Sequence, residues 1–210
     1  MTKSDRSDIT ILLDRSGSMA SVKSDVEGGF ARLLDEQRRI PGECYLTLVQ
    51  FDSQGIEPVY TARPIREAPP VVLHPRGMTP LLDAVGQTIE ATGERLAGMP
   101  EPERPGRVLF VIITDGLENA SRQFTKAQVT RLVEQQRRQY SWQFIYLGAN
   151  VDAFGEAGAM GITQSHAAHC VASPLGVADM FAMASHKLAE HRGGRDLAFS
   201  EEEREILRRG

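Results

Sequence analysis

Three segments of this 210-residue sequence carry oxygen-bearing side chains of one chemical kind, two of them where apolar runs stop. "ILLDRSGSMAS" (11–21) ends in Asp14 and then spaces Ser16 and Ser18 at alternate positions. "RGMTP" sets Thr79 just ahead of a helical pattern, and "VLFVIITDG", within the most apolar stretch of the chain, runs into Asp115. Asp14, Ser16, Ser18, Thr79 and Asp115 are all hard oxygen donors, with no thiolate or imidazole among them. Such a set suits Mg²⁺, with Mn²⁺ or Ca²⁺ as alternatives, rather than Zn²⁺ or copper. Gly17, Gly77 and Gly116 stand beside the candidate ligands, where the backbone needs tight turns. A purely structural reading competes for parts of this set. Ser18 or Ser21 would cap a first helix, and Thr79 with Pro80 makes a cap-plus-first-position pair. Capping does not explain why Asp14 and Asp115 both end apolar strands.

The elements that must hold these residues alternate between strand and helix patterns. "DITILLD" (8–14) reads as a buried strand, and "VEGGFARLLDEQRR" as a helix with Val22, Val26, Phe30, Leu33 and Leu34 at helical spacing. Gly28 and Gly29 inside that helix each cost about 1 kcal/mol relative to alanine, which suggests close packing of helix on sheet. "CYLTLVQFD" is a strand, and "IEPVYTARPI" pairs with it as an edge, where Pro58 and Pro64 are tolerated. "TPLLDAVGQTIEATGERLA" is amphipathic through Leu82, Val85, Ile89 and Leu96. "RVLFVIITDG" is continuous, as in a central parallel strand covered on both faces. A helix opened by a Thr125–Gln128 capping box follows, then the strand "WQFIYLG", a short helix in "VDAFGEAGAMG" and the strand "AAHCVA". The last long helix has Ser173 as cap and Pro174 at its first position. This alternation predicts an α/β fold: a doubly wound, mostly parallel six-stranded sheet with one antiparallel edge strand and helices on both faces. Residues 1–192 form the domain. Residues 193–210 read as a linker and short helix with a Ser200–Glu203 capping box, at the periphery. Ligands of such sheets bind outside the carboxyl ends of the strands, which is where all three segments fall.

Taken in order on this pattern, "DRSGS", "GMTP" and "ITDG" resemble the metal-ion-dependent adhesion site of von Willebrand factor type A domains, also called integrin I-like domains. The resemblance covers about residues 6–190 and implies a Rossmann-like fold. It implies that Ser16 and Ser18 bind a divalent metal directly, that Thr79 does so in the ligand-competent arrangement, and that Asp14 and Asp115 hold it directly or through water. It leaves the last coordination position for an Asp or Glu carboxylate on a partner protein. The physical logic agrees, since two anionic ligands leave the cation with residual positive charge. Asp83, one turn after Thr79, is expected to face the rim or hydrogen-bond the site's loops, with a helix-dipole role as the alternative. Asn119, in "LENAS", is a further candidate for the rim, with an ordinary polar loop as its alternative.

Composition narrows the rest. With 24 basic against 28 acidic residues, the chain is not a general nucleic-acid binder. No apolar run reaches the ~18 residues of a membrane span, and "MTKSDRSD" lacks the apolar core of a signal peptide, so a cytoplasmic location is expected. Cys44 and Cys170 lie in β-like stretches and read as small buried residues. The expected function is therefore a non-enzymatic, metal-dependent protein-binding module, similar to small intracellular bacterial members of the family. Some of those act beside AAA+ ATPases in metal insertion, and others belong to tellurite-resistance or stress systems. The enzymatic alternative is a metal-dependent phosphoryl hydrolase using Asp14. Ser16 stands where that chemistry needs a second acid as proton donor. Dinucleotide binding needs Gly-x-Gly-x-x-Gly directly after a strand, and "GEAGAMG" has neither the spacing nor the place.

Overall fold

The computed structural model describes residues 2–149 and 152–209. Its strands are β1 (Lys3–Asp14), β2 (Glu43–Asp52), β3 (Gly55–Pro64), β4 (Pro105–Thr114), β5 (Gln143–Ala149) and β6 (Ala167–Cys170). The helices are α1 (Lys23–Arg39), α2 (Leu81–Ala97), α3 (Lys126–Tyr140), α4 (Ala153–Ala159), α5 (Pro174–Arg192) and α6 (Glu201–Arg209). They build one six-stranded sheet in the order β3-β2-β1-β4-β5-β6. Only β3 runs antiparallel, at the edge beside β2. The chain leaves β1 toward β2 and later returns to β4 on β1's other side. The carboxyl ends of β1 and β4 therefore flank the switch point, where a doubly wound sheet leaves a crevice.

Alternation along the central strands divides the core between two faces. Ile9, Ile11, Leu13, Leu109, Val111 and Ile113 pack with α1 and α5 residues such as Phe30, Leu33, Phe181 and Leu188. Leu12, Phe110, Ile112 and Tyr146 pack with Val85, Ile89, Val129 and Val133 of α2 and α3 on the other face. This is why β4 reads as one unbroken apolar run. Two expected caps are present: Thr125 and Gln128 form the capping box of α3, and Ser173 Oγ accepts the Gly176 amide ahead of Pro174. Val151, the first residue of the helix predicted around 151–161, lies outside the described residues; the helix itself runs Ala153–Ala159.

Several elements differ from the sequence pattern for identifiable reasons. Strand β1 begins at Lys3 rather than Asp8, because polar residues there pair with both neighbours (Arg6 with Glu43, Lys3 with Pro105). Backbone pairing of this kind leaves no hydrophobic signature. Of the two glycines of α1, only Gly29 serves packing, and against a helix rather than the sheet: a Cβ there would lie 2.6 Å from the Phe181 ring of α5, while one on Gly28 would meet only the Arg32 side chain of α1 itself. The first helix carries no hydroxyl cap. It starts with a 3₁₀ turn over Gly17–Val22, and Ser21 Oγ donates to the Ser18 carbonyl. Helix α2 starts at Leu81, with Pro80 rather than Thr79 at the cap position. Finally, the segment expected at the periphery packs inward. Leu197, Phe199 and Leu207 are buried, and Arg204 donates to the carbonyls of Gln164 and Ala167. Its charged composition conceals an apolar spacing that a nine-residue helix and a short lead-in are enough to bury.

At the opposite end of the sheet from the strand carboxyl ends, His191 of α5 is buried, and its Nδ1 lies 2.7 Å from the Gln143 side-chain oxygen. Burial, aided by the Arg107 guanidinium, pushes its pKa down to about 4. The unfolded imidazole protonates near 6.5, so the folded state binds fewer protons below that pH. Stability is thus fully present above about pH 6.5 and is lost as pH falls toward 4, by up to about 3 kcal/mol. Urea unfolding at pH 7.5, 6 and 5 should show a steeper loss for the natural protein than for His191→Gln. Parallel curves would remove His191 as the cause.

Candidate metal centre

The five predicted residues converge at the carboxyl ends of β1 and β4. Asp14 closes β1 and is fully buried; its Oδ1 accepts the Ser16 amide at 2.7 Å, and its Oδ2 accepts the Thr114 hydroxyl at 2.6 Å. The first bond turns the chain back over the strand end in the manner of an Asx turn. It places Ser16 Oγ 3.1 Å from Ser18 Oγ, which donates to Asp115 Oδ1 at 2.6 Å. A chain of side-chain oxygens thus links one strand end to the other. Thr79 approaches this chain from a third loop. A Cβ on Gly116 would stand 2.8 Å from Thr79 Oγ1 and 3.7 Å from Asp14 Oδ2, so glycine is what lets that hydroxyl approach. Asp14, Ser16 and Thr79 are buried, Asp115 is half-buried and Ser18 is exposed. The arrangement has a closed floor and an open, solvent-facing rim.

Loop contacts fix these positions. Gly17 N–H donates to the Gly77 carbonyl at 3.1 Å, tying the serine turn to the loop that carries Thr79. Gly77 has φ +68°, which favours glycine. Asn119 holds Thr79 from the other side: its Oδ1 accepts the Thr79 amide at 2.8 Å, and its own amide donates to the Thr79 carbonyl at 3.2 Å. Asp83 does not point at these oxygens. Its carboxylate accepts the amides of Arg122, Gln123 and Phe124 at 2.8, 2.9 and 2.8 Å, and so ties down the loop after β4. In return, Glu118 Oε2 and Ser121 Oγ accept the Leu82 and Asp83 amides, capping α2 from across the crevice.

The electrostatics fit a cation. Burial pushes the pKa of Asp14 up to about 6, against the hydrogen bonds from Thr114 and Ser16. Burial also raises Asp115, against the bond from Ser18. Neither carboxylate has a basic partner among these contacts. A divalent ion would supply the missing positive charge, and two carboxylates with three hydroxyls are the donors that a hard cation prefers.

Several participants escape a reading of the sequence. Thr114 supports Asp14, Glu118 caps α2, and Arg15, Asp52 and Arg76 form an ion cluster beside the serine turn. One signal was available for the cluster: β2, like β1, is an apolar strand that ends in an aspartate, Asp52.

No protein-family model and no curated protein sequence matches the chain. Solved structures do match. Proximal thread matrix protein 1 from the mussel byssus, in a structure described as having a zinc-occupied MIDAS motif, aligns at 14% identity with a TM-score of 0.61, over 86% of this chain and 47% of that one. A von Willebrand factor type A protein from Catenulispora acidiphila aligns at 16% identity and TM-score 0.55, over 88% and 42%. The vWF domain of the type V pili tip protein Mfa5 from Porphyromonas gingivalis aligns at 10% identity and TM-score 0.59, over 94% and 98%. This chain spans less than half the length of the first two. Its fold is that of a von Willebrand factor A domain, as the motifs implied. Among the described residues, no helix is long and apolar enough to cross a membrane.

Proposed function

We propose that this domain binds one divalent cation through Asp14, Ser16, Ser18, Thr79 and Asp115, and uses it to dock a carboxylate of a partner protein without making or breaking a bond. One observation carries the reading: the hydrogen-bonded run from Asp14 through Ser16 and Ser18 to Asp115, with Thr79 brought in over Gly116. Asp14 and Asp115 supply two negative charges, so a bound divalent ion would offer an electrophilic open position at the rim, where an Asp or Glu side chain binds as a hard ligand. The buried floor, made by Asp14, Ser16 and Thr79, holds the cation side, while the exposed Ser18 edge is where a partner approaches. Mg²⁺ is the favoured ion on donor hardness, with Mn²⁺ and Ca²⁺ as alternatives. The zinc reported in the byssus protein makes Zn²⁺ a necessary arm of the test.

Calorimetric titration with Mg²⁺, Mn²⁺, Ca²⁺ and Zn²⁺ should show one site per chain, lost in Ser16→Ala. Water-proton relaxation by bound Mn²⁺ should then fall on adding acetate, as a carboxylate displaces an exchangeable water at the open position. Absence of metal binding would sink the proposal. Binding with acetate-insensitive relaxation would leave a structural metal and remove the docking role.

A further inference from the structure

Beside the candidate metal site lies a second polar cluster that the docking function does not by itself require. Arg15, the residue between Asp14 and Ser16, is buried. Its Nε donates to Asp52 Oδ2 at 2.5 Å, and its Nη1 to Glu57 Oε2 at 2.8 Å. Asp52, whose side chain is fully buried, also accepts Arg76 Nε at 2.9 Å and the Gln54 and Gly55 amides at 2.6 and 3.2 Å. Burial alone would raise the Asp52 pKa, but the bonds from Arg76, Gln54 and Arg15 outweigh it and hold the carboxyl below its usual range. The backbone repeats the connection. The Arg15 amide donates to the Phe51 carbonyl at 3.0 Å, the Arg76 amide to the Arg15 carbonyl at 2.9 Å, and the Met78 amide to Ser53 Oγ at 3.0 Å.

These bonds join three separate pieces of chain at one carboxylate: the serine turn through Arg15, the end of β2 through Asp52, and the Thr79 loop through Arg76. Two of the pieces carry proposed metal ligands. We propose that the Arg15–Asp52–Arg76 cluster is a latch whose task is to set the distance between the Ser16 and Ser18 hydroxyls and the Thr79 hydroxyl, so that the cation site is preformed. This rests on the metal-binding reading above. Arg15, Asp52 and Arg76 act as positioning residues; none of them touches the ion. Supporting residues of this kind typically change metal affinity by 10- to 100-fold when removed.

Charge and positioning make opposite predictions for Arg15→Met, which gives the latch a clean test. Arg15→Met removes a positive charge near the site, so electrostatics alone would strengthen cation binding. Asp52→Asn removes a negative charge and would weaken it. If the cluster acts by position, both single variants weaken Mg²⁺ binding, by about tenfold each, and the double variant is no worse than the weaker single. Arg15→Lys keeps the charge but lacks the guanidinium fork, so it should not restore the natural affinity. Hydrogen exchange at the Gly17 and Arg76 amides, which bridge the two loops, should accelerate in the same variants without added metal. Arg76→Gln keeps the Arg15–Asp52 pair at a less buried position and is the milder form, with a loss of about threefold, in case the buried variants fail to fold. Unchanged Mg²⁺ affinity in these variants, or a gain in Arg15→Met with a loss in Asp52→Asn, overturns the latch. If the natural protein binds no metal at all, the docking function fails instead, and unaccelerated exchange at Gly17 and Arg76 then overturns the latch on its own.

Discussion

In EDTA, Asp14→Asn should raise the thermal midpoint of this protein, and Mg²⁺ should no longer shift it. The carboxylate sits at the fully buried end of β1, bonded to the Ser16 amide and the Thr114 hydroxyl, neither of which is charged. Burying a carboxylate without a counter-charge costs free energy that hydrogen bonds only partly offset. Asparagine keeps the acceptor for Ser16. Its amide nitrogen donates to Thr114 Oγ1, whose hydroxyl is free to turn to the Gly116 carbonyl 3.2 Å away. The substitution therefore removes the charge and leaves the turn intact. A gain on the order of 1–2 kcal/mol is expected in the metal-free state, and for a chain of this size each kcal/mol moves the midpoint by roughly 2–4 °C. The natural protein should recover and exceed that gain when Mg²⁺ is added, since a ligand at 100 times its Kd stabilises by about 2.7 kcal/mol. The variant should not respond. A midpoint that falls in EDTA, or an Mg²⁺ response that survives the substitution, would show that Asp14 is a structural acceptor rather than half of a cation site.

The same residue illustrates what a sequence can disclose. An apolar strand that ends in an acid is conspicuous because strand burial makes charge expensive there, so Asp14 and Asp115 stood out without any structure. The serines stood at alternate positions after Asp14, and Thr79 came from its loop ahead of a helix together with the family resemblance. Alternation of strand and helix patterns was enough for the sheet, its single antiparallel edge and the layers on both faces. What stayed hidden depends on partners far along the chain. Asp83 was expected to face the rim or bond the site's loops, and it does the second; which three amides, some forty residues on, its carboxylate serves is what the sequence does not show. Glu118 carries no signal in the sequence, yet it caps a helix from the facing loop. Gly29 looked like a seat for the sheet, yet Phe181 fills the space. Local pattern carries the identity of an element and the face it buries. It does not carry which side chain from another element meets it, and capping from a distance is a contact of that kind.

The largest stability effect expected in this molecule comes from its last sixteen described residues. Removing the chain after Gly193 should leave a protein that does not fold cooperatively at 37 °C. Three apolar side chains, Leu197, Phe199 and Leu207, would leave the core on the α1 and α5 side of the sheet. At about 1.5–3 kcal/mol for each fully buried side chain, that loss alone approaches the 5–15 kcal/mol of a typical domain. The polar contacts add to it. Arg204 donates to the Ala167 and Gln164 carbonyls at the edge strand β6, stacking over Phe154 and Phe199, and the Phe199 amide donates to the Ser165 carbonyl. Lys187, buried on α5, divides its ammonium between Glu190 at 2.8 Å and Glu203 at 2.9 Å. Without Glu203 and the Ala198 carbonyl it keeps one partner for a buried charge. Because truncation gives only an all-or-none readout, Leu207→Ala supplies the graded measurement. It deletes one buried side chain while Arg204 and Glu203 stay in place, and should cost about 2–4 kcal/mol in urea unfolding. A loss below roughly 0.5 kcal/mol, the range of ordinary surface substitutions, would mean that α6 does not hold the core in solution, and the truncated chain should then fold as well as the natural one.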